Sequence, residues 1–162
     1  MAVAYILVGV PGAGKSTWIK NQTLFWPVLK NFNALGLTIV STDAFVEHYA
    51  KAQGKTYSEV FEDYMPIAIG LMLDQVETAR ELDHTIIWDQ TSTTVKSRAK
   101  KFRMLPNYEM IAVVFRTPPY DELIRRIDSR VGREIPTEVV LDMIEKWEEP
   151  TLEEGFSEIW YP

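Results

Sequence analysis

Five short apolar runs, rich in β-branched and aromatic residues, are separated along the chain by polar or mixed segments. The runs are residues 3–8, 37–41, 85–89, 110–115 and 156–160. Residues 3–8 and 110–115 are continuously apolar instead of alternating, which is typical of strands that are buried on both faces of a sheet. We therefore predict five short strands within a covered sheet.

The segments between these runs have the spacing of amphipathic helices. Helices are predicted from Ser16 onward, over 43–53, from Ser58 onward, over 94–105, up to Ile127 and over 137–148. In the long segment after Ser58, seven residues are predicted to form one apolar face: Val60, Phe61, Tyr64, Ile67, Leu71, Val76 and Ala79. Pro66 and Gly70 are expected to bend or split this helix. Strands alternating with helices predict an α/β fold whose parallel sheet is covered on both faces.

The chain has 162 residues, of which 46% are hydrophobic and 25% charged, and we predict a single globular domain over 1–162. It contains no cysteine, so a disulfide framework, a thiolate metal site and a cysteine nucleophile are excluded. The N-terminal residues lack the basic segment of a signal peptide, and no apolar run reaches the roughly 18 residues of a membrane span. We therefore expect a cytoplasmic protein without a membrane partner, and the oligomeric state is not predicted.

The formal net charge of −6 is unevenly distributed. Residues 134–162 contain nine acidic residues and a single basic residue, Lys146. A basic cluster lies further upstream and comprises Lys96, Arg98, Lys100, Lys101 and Arg103. The acidic total argues against a protein that coats nucleic acid, since such proteins are usually basic overall. For the basic cluster, a local phosphate site and a solvated helix face both remain open.

Residues 9–17 match the pattern G-x-x-x-x-G-K-[ST] between a predicted strand and a predicted helix. Their sequence is Gly9-Val10-Pro11-Gly12-Ala13-Gly14-Lys15-Ser16-Thr17. The glycines allow backbone N–H groups to surround a phosphate, and the helix adds the positive end of its dipole. Lys15 can reach the β- and γ-phosphates, and the Ser16 hydroxyl can complete a magnesium shell. The motif predicts a site for a nucleoside triphosphate.

Two aspartates follow predicted strands. Asp43 comes where the second strand ends, and Asp89 ends the third. Because the carboxyl ends of parallel strands face one crevice, both side chains are expected to face the phosphate loop. Asp43 can then accept the proton of an acceptor hydroxyl that attacks the γ-phosphate. Asp89 can hold a magnesium-bound water or orient the loop, and either carboxylate could instead cap the following helix or turn.

A polar segment, residues 128–136, separates two predicted helices and contains Arg130 and Arg133. Small kinases keep at such a place a mobile lid whose arginine neutralises transition-state charge and helps to exclude water. We predict a lid here, with Arg130 as the first candidate for that arginine and Arg133 as the second. A solvated basic loop is the alternative.

Together these features resemble the kinase domain of phage polynucleotide 5′-hydroxyl kinases. The resemblance covers about residues 3–147 and rests on residues 9–18, Asp43, Ile-Ile-Trp-Asp89, and Leu123-Ile-Arg-Arg with Arg130 and Pro136. Residues 150–156, Pro-Thr-Leu-Glu-Glu-Gly-Phe, are similar to an ending common in the wider group of P-loop kinases. The resemblance implies a three-layer P-loop kinase fold with a central parallel sheet of about five strands. It also implies magnesium-ATP as phosphate donor and a phage-encoded enzyme that acts in the host cytoplasm.

The motif positions imply roles for individual residues. Residues 9–17, Arg126 and Arg130 are expected to contact ATP, and Ser16 and Asp89 to bind the metal. The implied catalytic residues are Lys15, Asp43, Asp89 and Arg130, with Asp43 as the general base. The chain departs from the family on the acceptor side: Val46 replaces an arginine that holds the acceptor's phosphate, and Ile127 replaces an asparagine near the lid.

Four functions follow from these observations. The first is transfer to the 5′-hydroxyl of DNA or RNA, with acceptor contacts expected from Lys96, Arg98, Lys100 or Arg103. The second is phosphorylation of a hydroxymethylated base in DNA, which needs aromatic stacking surfaces. Four aromatic residues could supply them or could simply pack in the core: Phe45, Tyr49, Tyr57 and Tyr64. The third is a kinase for a small molecule such as a nucleoside or sugar, which the acidic charge favours. The fourth is a nucleotide-dependent switch without transfer, against which Asp43 argues.

Overall fold

The computed structural model describes residues 1–24 and 36–162. At its centre is a sheet of five strands: β1 (Val3–Val8), β2 (Leu37–Val40), β3 (Thr85–Trp88), β4 (Glu109–Val114) and β5 (Glu158–Trp160). The strands lie in the order β2-β3-β1-β4-β5, and every neighbouring pair is parallel. All five predicted strands are confirmed, with bounds that agree to within two residues.

Helices connect the strands of the described chain. They are α1 (Lys15–Leu24), α2 (Thr42–Ala52), α3 (Tyr57–Glu81), α4 (Val95–Met104), α5 (Tyr120–Asp128) and α6 (Thr137–Glu145). A short 3-10 turn at Leu152–Glu154 precedes β5. Among the helices of residues 1–24 and 36–162, none combines the length and the apolar composition that crossing a membrane requires.

Both faces of the sheet are covered, as the continuously apolar strands predict. One face of β1 presents Ala4, Ile6 and Val8 to a core that includes side chains of α3 and α4. The other face presents Val3, Tyr5 and Leu7 to a core that includes Trp18 and Ile19 of α1. The result is the three-layer α/β arrangement, with the phosphate loop at the carboxyl edge of the central strand.

Helix α3 departs from the sequence-based prediction in two respects. It is a single helix of 25 residues that continues through Pro66, so the expected split does not occur. Its buried residues are Val60, Ala68, Met72, Val76 and Ala79, whereas the predicted face residues Phe61, Ile67 and Leu71 are exposed. Nearly every residue of 65–73 is apolar, so the local pattern could not select the buried face. Packing against the sheet and against α2 selects it, and the helix continues through Pro66 although proline removes one of its backbone hydrogen bonds.

Candidate active site

The phosphate loop turns from β1 into α1 through residues 9–14. Gly12 and Gly14 have φ values of 83° and 106°, which L side chains rarely adopt. A Cβ atom on Gly9 would lie 3.0 Å from the Cβ of Phe115, so this position needs glycine where the loop passes the end of β4. A Cβ atom on Gly14 would meet nothing within 4 Å in the described structure. The loop backbone therefore borders an open cradle of the kind that a phosphate group fits.

Lys15 is the first residue of α1, and its side chain folds back onto the loop. Its Nζ donates to the carbonyl oxygens of Gly9 at 2.8 Å and Val10 at 2.9 Å. Burial lowers the pKa of Lys15 to about 8, and the nearby carboxylate of Asp89 opposes that shift. An additional anionic partner such as a phosphate would therefore stabilise the charged ammonium.

Lys15 borders a cleft of about 650 Å³ at the carboxyl edge of the sheet. The structure brings most of the residues predicted for the site to this cleft: Pro11, Gly12, Gly14, Lys15, Ser16, Thr17, Asp43, Asp89, Arg126 and Arg130. Three residues of the motif do not line it. The Val10 side chain is buried against α5 and α6, Ala13 packs beside it, and the Gly9 N–H donates to Thr91 O at 2.9 Å.

Asp89 and Ser16 supply side-chain oxygens to the cleft. The Asp89 N–H donates to Val40 O at 2.8 Å, which fixes the end of β3 beside the end of β2. Burial raises the pKa of Asp89 above its ordinary value, while the ammonium of Lys15 acts against this shift. In the described ranges, no group of three or more His, Cys, Asp or Glu side chains could hold a metal by itself. A hydroxyl and one carboxylate do fit Mg²⁺ when nucleotide phosphates and water supply the remaining ligands.

Asp43 stands in the first turn of α2 and faces the same cleft. The helix is capped by Ser41, whose Oγ accepts from the Ala44 N–H at 3.3 Å, so the cap does not require Asp43. The Asp43 Oδ1 accepts from the Tyr57 hydroxyl at 2.6 Å, and its Oδ2 accepts from Arg133 Nη2 at 2.5 Å. Burial and the hydrogen bond to Asp43 raise the pKa of Tyr57. Both oxygens of the predicted base are therefore hydrogen-bonded.

Three arginines approach the cleft from α5 and the segment that follows it. Arg126 donates to the carbonyl oxygen of Gly12 at 3.1 Å and pairs with Glu122. Arg130 lines the cleft, and burial lowers its pKa below the ordinary value. Arg133, predicted only as the second candidate for a lid arginine, is the one that contacts Asp43, and it also donates to Glu47 at 2.9 Å.

One expectation for the acceptor side is wrong. Arg98, expected to contact an acceptor, has no exposed side-chain surface and forms an ion pair with Glu154. Lys101, from the same cluster, is also buried, and its ammonium lies 5.2 Å from the centre of the Trp88 ring. Val46, at the position of the family's acceptor arginine, is buried in the core between α2 and α3. The basic cluster therefore does not form one continuous exposed surface.

The four aromatic side chains proposed as stacking surfaces mostly contact one another or the core. The rings of Tyr49 and Tyr64 stack with their centres 3.9 Å apart, and Phe45 packs against two core clusters. Tyr57 instead binds Asp43. The sequence reasoning missed Glu47, which lines the cleft one helical turn after Asp43; the spacing of four residues on a predicted helix was the available signal.

The sequence matches the model of an AAA domain family, AAA_33, over residues 5–150. The fold is similar to a protein of the PezAT chromosomal toxin–antitoxin system of Streptococcus pneumoniae, with 24% identity, a TM-score of 0.66, and coverage of 99% of this chain and 66% of that chain. A candidate kinase from Chloroflexus aurantiacus J-10-fl matches with 18% identity, a TM-score of 0.68, and coverage of 99% and 84%. A chain of the Pnkp1/Rnl/Hen1 RNA repair complex matches with 21% identity, a TM-score of 0.64, and coverage of 90% and 44%.

The chain thus spans just under two thirds of the first of these proteins and less than half of the RNA-repair chain. At identities below 25%, the likenesses establish the fold. It is a P-loop kinase-like fold with a five-stranded parallel sheet, as predicted from the sequence.

Proposed function

This chain belongs to the AAA domain family AAA_33, and from this membership and the geometry of its cleft we propose that it is an ATP-dependent kinase that phosphorylates a hydroxyl group. The observation that carries the proposal is that Asp43 and Lys15 line one cleft. A phosphate loop alone fits many kinds of nucleotide-binding protein. A carboxylate in the first turn of α2, just after β2, adds a base for a second substrate, which a nucleotide-dependent switch would not require.

On the donor side, Lys15 and the backbone of residues 9–14 would bind the β- and γ-phosphates of ATP. Ser16 and Asp89 would hold Mg²⁺, which, when bound, neutralises phosphate charge and helps to align the γ-phosphate. Arg126 and Arg130 would contact the phosphates from α5 and the lid. Arg130 is half-buried beside the cleft, where its charge would act on the transition state in a less polar environment than water.

On the acceptor side, Asp43 would act as the general base. The acceptor oxygen forms a bond to the γ-phosphorus while the bond from that phosphorus to the bridging oxygen of ADP breaks. The hydroxyl proton passes to the Asp43 carboxylate, and the products are ADP and a phosphate monoester. The first turn of α2 holds Asp43 in place because Ser41 caps this helix.

The acceptor that we propose first is the 5′-hydroxyl of DNA or RNA. Its support is the resemblance of residues 9–18, Asp43 and 123–139 to polynucleotide 5′-hydroxyl kinases. The fold likeness to a chain of an RNA repair complex agrees with this choice.

A second candidate is a small uncharged acceptor such as a nucleoside or a sugar, and it has a structural observation of its own. Beside Asp43 the cleft presents a second carboxylate, Glu47, and Arg133 is paired with both carboxylates and so is not free to hold an acceptor phosphate. Val46 is buried, and the side chains of Arg98 and Lys101 are also buried, so they are not accessible to an acceptor. Two neighbouring carboxylates suit hydroxyl groups better than a chain of phosphates.

Transfer of labelled γ-phosphate from magnesium-ATP to a panel of acceptors tests both candidates. The panel contains 5′-hydroxyl single-stranded DNA and RNA, a 5′-blocked duplex with hydroxymethylated bases, nucleosides and sugars. Asp43→Asn should abolish transfer and leave ATP binding nearly intact, whereas the matched substitution Asp63→Asn on the exposed face of α3 should change neither. Labelling of the 5′-hydroxyl strands supports the first acceptor, and labelling of nucleosides or sugars supports the second. Equal loss of transfer and ATP binding in Asp43→Asn would contradict the role of this residue.

A further inference from the structure

Arg133 connects the lid segment to both carboxylates of the acceptor side. Its Nη2 donates to Asp43 Oδ2 at 2.5 Å and its Nη1 donates to Glu47 Oε1 at 2.9 Å. The remaining oxygen of Asp43 accepts from Tyr57 at 2.6 Å. We propose that Arg133 is a specificity-determining residue, which keeps Asp43 from activating water until an acceptor hydroxyl displaces it. The inference rests on the kinase function proposed above.

Arg133 is held in this position from several sides. Its guanidinium carbon lies 4.4 Å from the centre of the Tyr57 ring, which places the cation over an aromatic face. Only 18% of its side-chain surface is exposed. An exposed arginine that pairs with a carboxylate by chance would not also have an aromatic platform and a second carboxylate. The contacts of Arg133 therefore indicate a specific interaction and not a chance surface ion pair.

The lid backbone on both sides of Arg133 is docked on the first turn of α3. The Ser58 N–H donates to Gly132 O at 3.1 Å, and the Glu134 N–H donates to the Ser58 hydroxyl at 2.8 Å. A Cβ atom on Gly132, whose φ is 72°, would lie 3.0 Å from the Cβ of Thr56, so the two segments are in close contact. The backbone contacts between the lid segment and α3 therefore hold Arg133 against Asp43.

This contact affects proton transfer directly. In ATP hydrolysis the water oxygen would bond to the γ-phosphorus, the bond to the bridging oxygen of ADP would break, and the water proton would pass to Asp43. A carboxylate that is paired with a guanidinium loses this pairing when it takes a proton, so the transfer is unfavourable while Arg133 is in place. A water molecule makes too few contacts to displace Arg133. An acceptor that binds through further groups can do so, and Glu47 can retain the displaced guanidinium through Nη1.

Arg130 is better placed than Arg133 to act on the phosphates. Within residues 1–24 and 36–162, Arg130 forms no ion pair, although it lines the cleft. Arg133 instead has its charge offset by Asp43 and Glu47. Substitution of the two arginines should therefore have opposite effects. Loss of Arg130 should slow every phosphoryl transfer, whereas loss of Arg133 should raise the rate of phosphoryl transfer to water, which is ATP hydrolysis.

The test is the rate of ATP hydrolysis by the purified protein with magnesium-ATP and no acceptor. Arg133→Gln should raise this rate roughly five- to tenfold, because the ion pair that opposes proton transfer is gone. The rise should disappear in the double variant Asp43→Asn with Arg133→Gln, because the released hydrolysis uses Asp43. Arg125→Gln, an exposed arginine on α5 outside the cleft, is the matched control and should leave the rate unchanged.

A second readout does not depend on turnover. Thermal unfolding of the nucleotide-free protein should show that Arg133→Gln and Asp43→Asn are non-additive, with the double variant losing less Tm than the sum of the single losses. If Arg133→Gln does not fold, Arg133→Lys serves instead, since an ammonium cannot bridge both carboxylates as the guanidinium fork does. A hydrolysis rate that falls or stays unchanged, or strictly additive Tm losses, would overturn the inference. The acceptor panel tests the kinase proposal separately. If the wild-type protein transfers phosphate to an acceptor but Arg133→Gln does not hydrolyse ATP faster, the kinase function is supported and only the proposed role of Arg133 is rejected.

Discussion

Arg98 and Glu154 lie 56 residues apart in the chain and form a two-pronged ion pair inside the protein, with Nε to Oε1 at 2.8 Å and Nη2 to Oε2 at 3.1 Å. Arg98 also donates to the carbonyl oxygen of Ser92 at 2.9 Å. Ser92 has a φ of 47°, in the left-handed region, and lies in the loop that follows Asp89. The pair thus connects the segment 150–156, similar to an ending common among P-loop kinases, to a loop whose residues 89–91 line the cleft.

Removal of Glu154 should strongly destabilise the fold. The Glu154→Ala substitution leaves the buried guanidinium of Arg98 without its counter-charge, and breaking a buried pair in this way costs about 3–5 kcal/mol. Denaturant unfolding should show a free energy of unfolding that is lower by about that amount. Glu153→Ala, at the exposed neighbouring position, is the control and should change the value by less than about 0.5 kcal/mol. Equal effects at the two positions would show that the pair contributes no stability.

Lys101 should make stability depend on pH. Burial lowers the pKa of Lys101 to about 8, from 10.5 for an exposed lysine. Below pH 8 both the folded and the unfolded chain carry the proton, and folding has to bury the charge. Between about pH 8 and 10.5 the unfolded chain binds more protons, so this group's contribution to stability rises with pH and the penalty is gone above the unfolded pKa.

The Lys101→Met substitution tests this dependence. Methionine keeps the packing against Trp88 and removes the charge, so the variant should be more stable than wild type by about 1–3 kcal/mol at pH 7. The difference should shrink as the pH is raised to 10.5, as measured by denaturant unfolding at both pH values. Lys100→Met, at an exposed position on the same helix, should show no such trend. A variant that is less stable at pH 7 would mean that contacts of the ammonium outweigh its burial.

Substitutions at Gly14 and Gly54 distinguish the effect of backbone strain from the effect of a side chain in the phosphate loop on ATP binding. Both have positive φ, 106° and 65°, and a Cβ atom at either would meet nothing within 4 Å in the described structure. Alanine should therefore cost about 1–2 kcal/mol of conformational strain at Gly54, whose φ lies in the left-handed helical region, and more at Gly14, whose φ lies outside it. Only Gly14→Ala should weaken ATP binding, by roughly tenfold or more, because its Cβ extends into the phosphate cradle. Titration calorimetry with magnesium-ATP measures the difference, and equal affinities in the two variants would place the phosphates elsewhere.

Tyr57 should affect the transfer rate without affecting ATP binding. The Tyr57→Phe substitution removes the hydrogen bond to Asp43 Oδ1 and keeps the ring beneath Arg133. We expect kcat to fall roughly tenfold, corresponding to about 1.4 kcal/mol, because the base is less well oriented. The dissociation constant for ATP should not change. Tyr120→Phe, at an exposed position of α5, is the control, and an unchanged kcat in Tyr57→Phe would show that Asp43 needs no such support.

The strands and the phosphate loop could be predicted because their signals are local. A parallel strand that is covered on both faces is a short continuous apolar run, and residues 3–8 and 110–114 have this form wherever they lie in the sheet. The turn at residues 9–14 depends on glycines whose conformational freedom is a property of the residue itself. The order of the strands then brought Asp43 and Asp89 to the edge where Lys15 begins α1, as predicted from the parallel arrangement.

The sequence by itself thus determined the strands, the parallel sheet and the glycine-rich loop that borders the cleft. Only the tertiary structure decided which charges are available. Nothing near Arg98 in the chain indicates that Glu154 neutralises it, and nothing near Asp43 indicates that Arg133, 90 residues away, occupies its second oxygen. The buried face of α3 was decided in the same way, since an all-apolar stretch can pack on any side. Local patterns report what a residue prefers, whereas burial and pairing depend on partners that are distant in sequence and meet only in the folded chain.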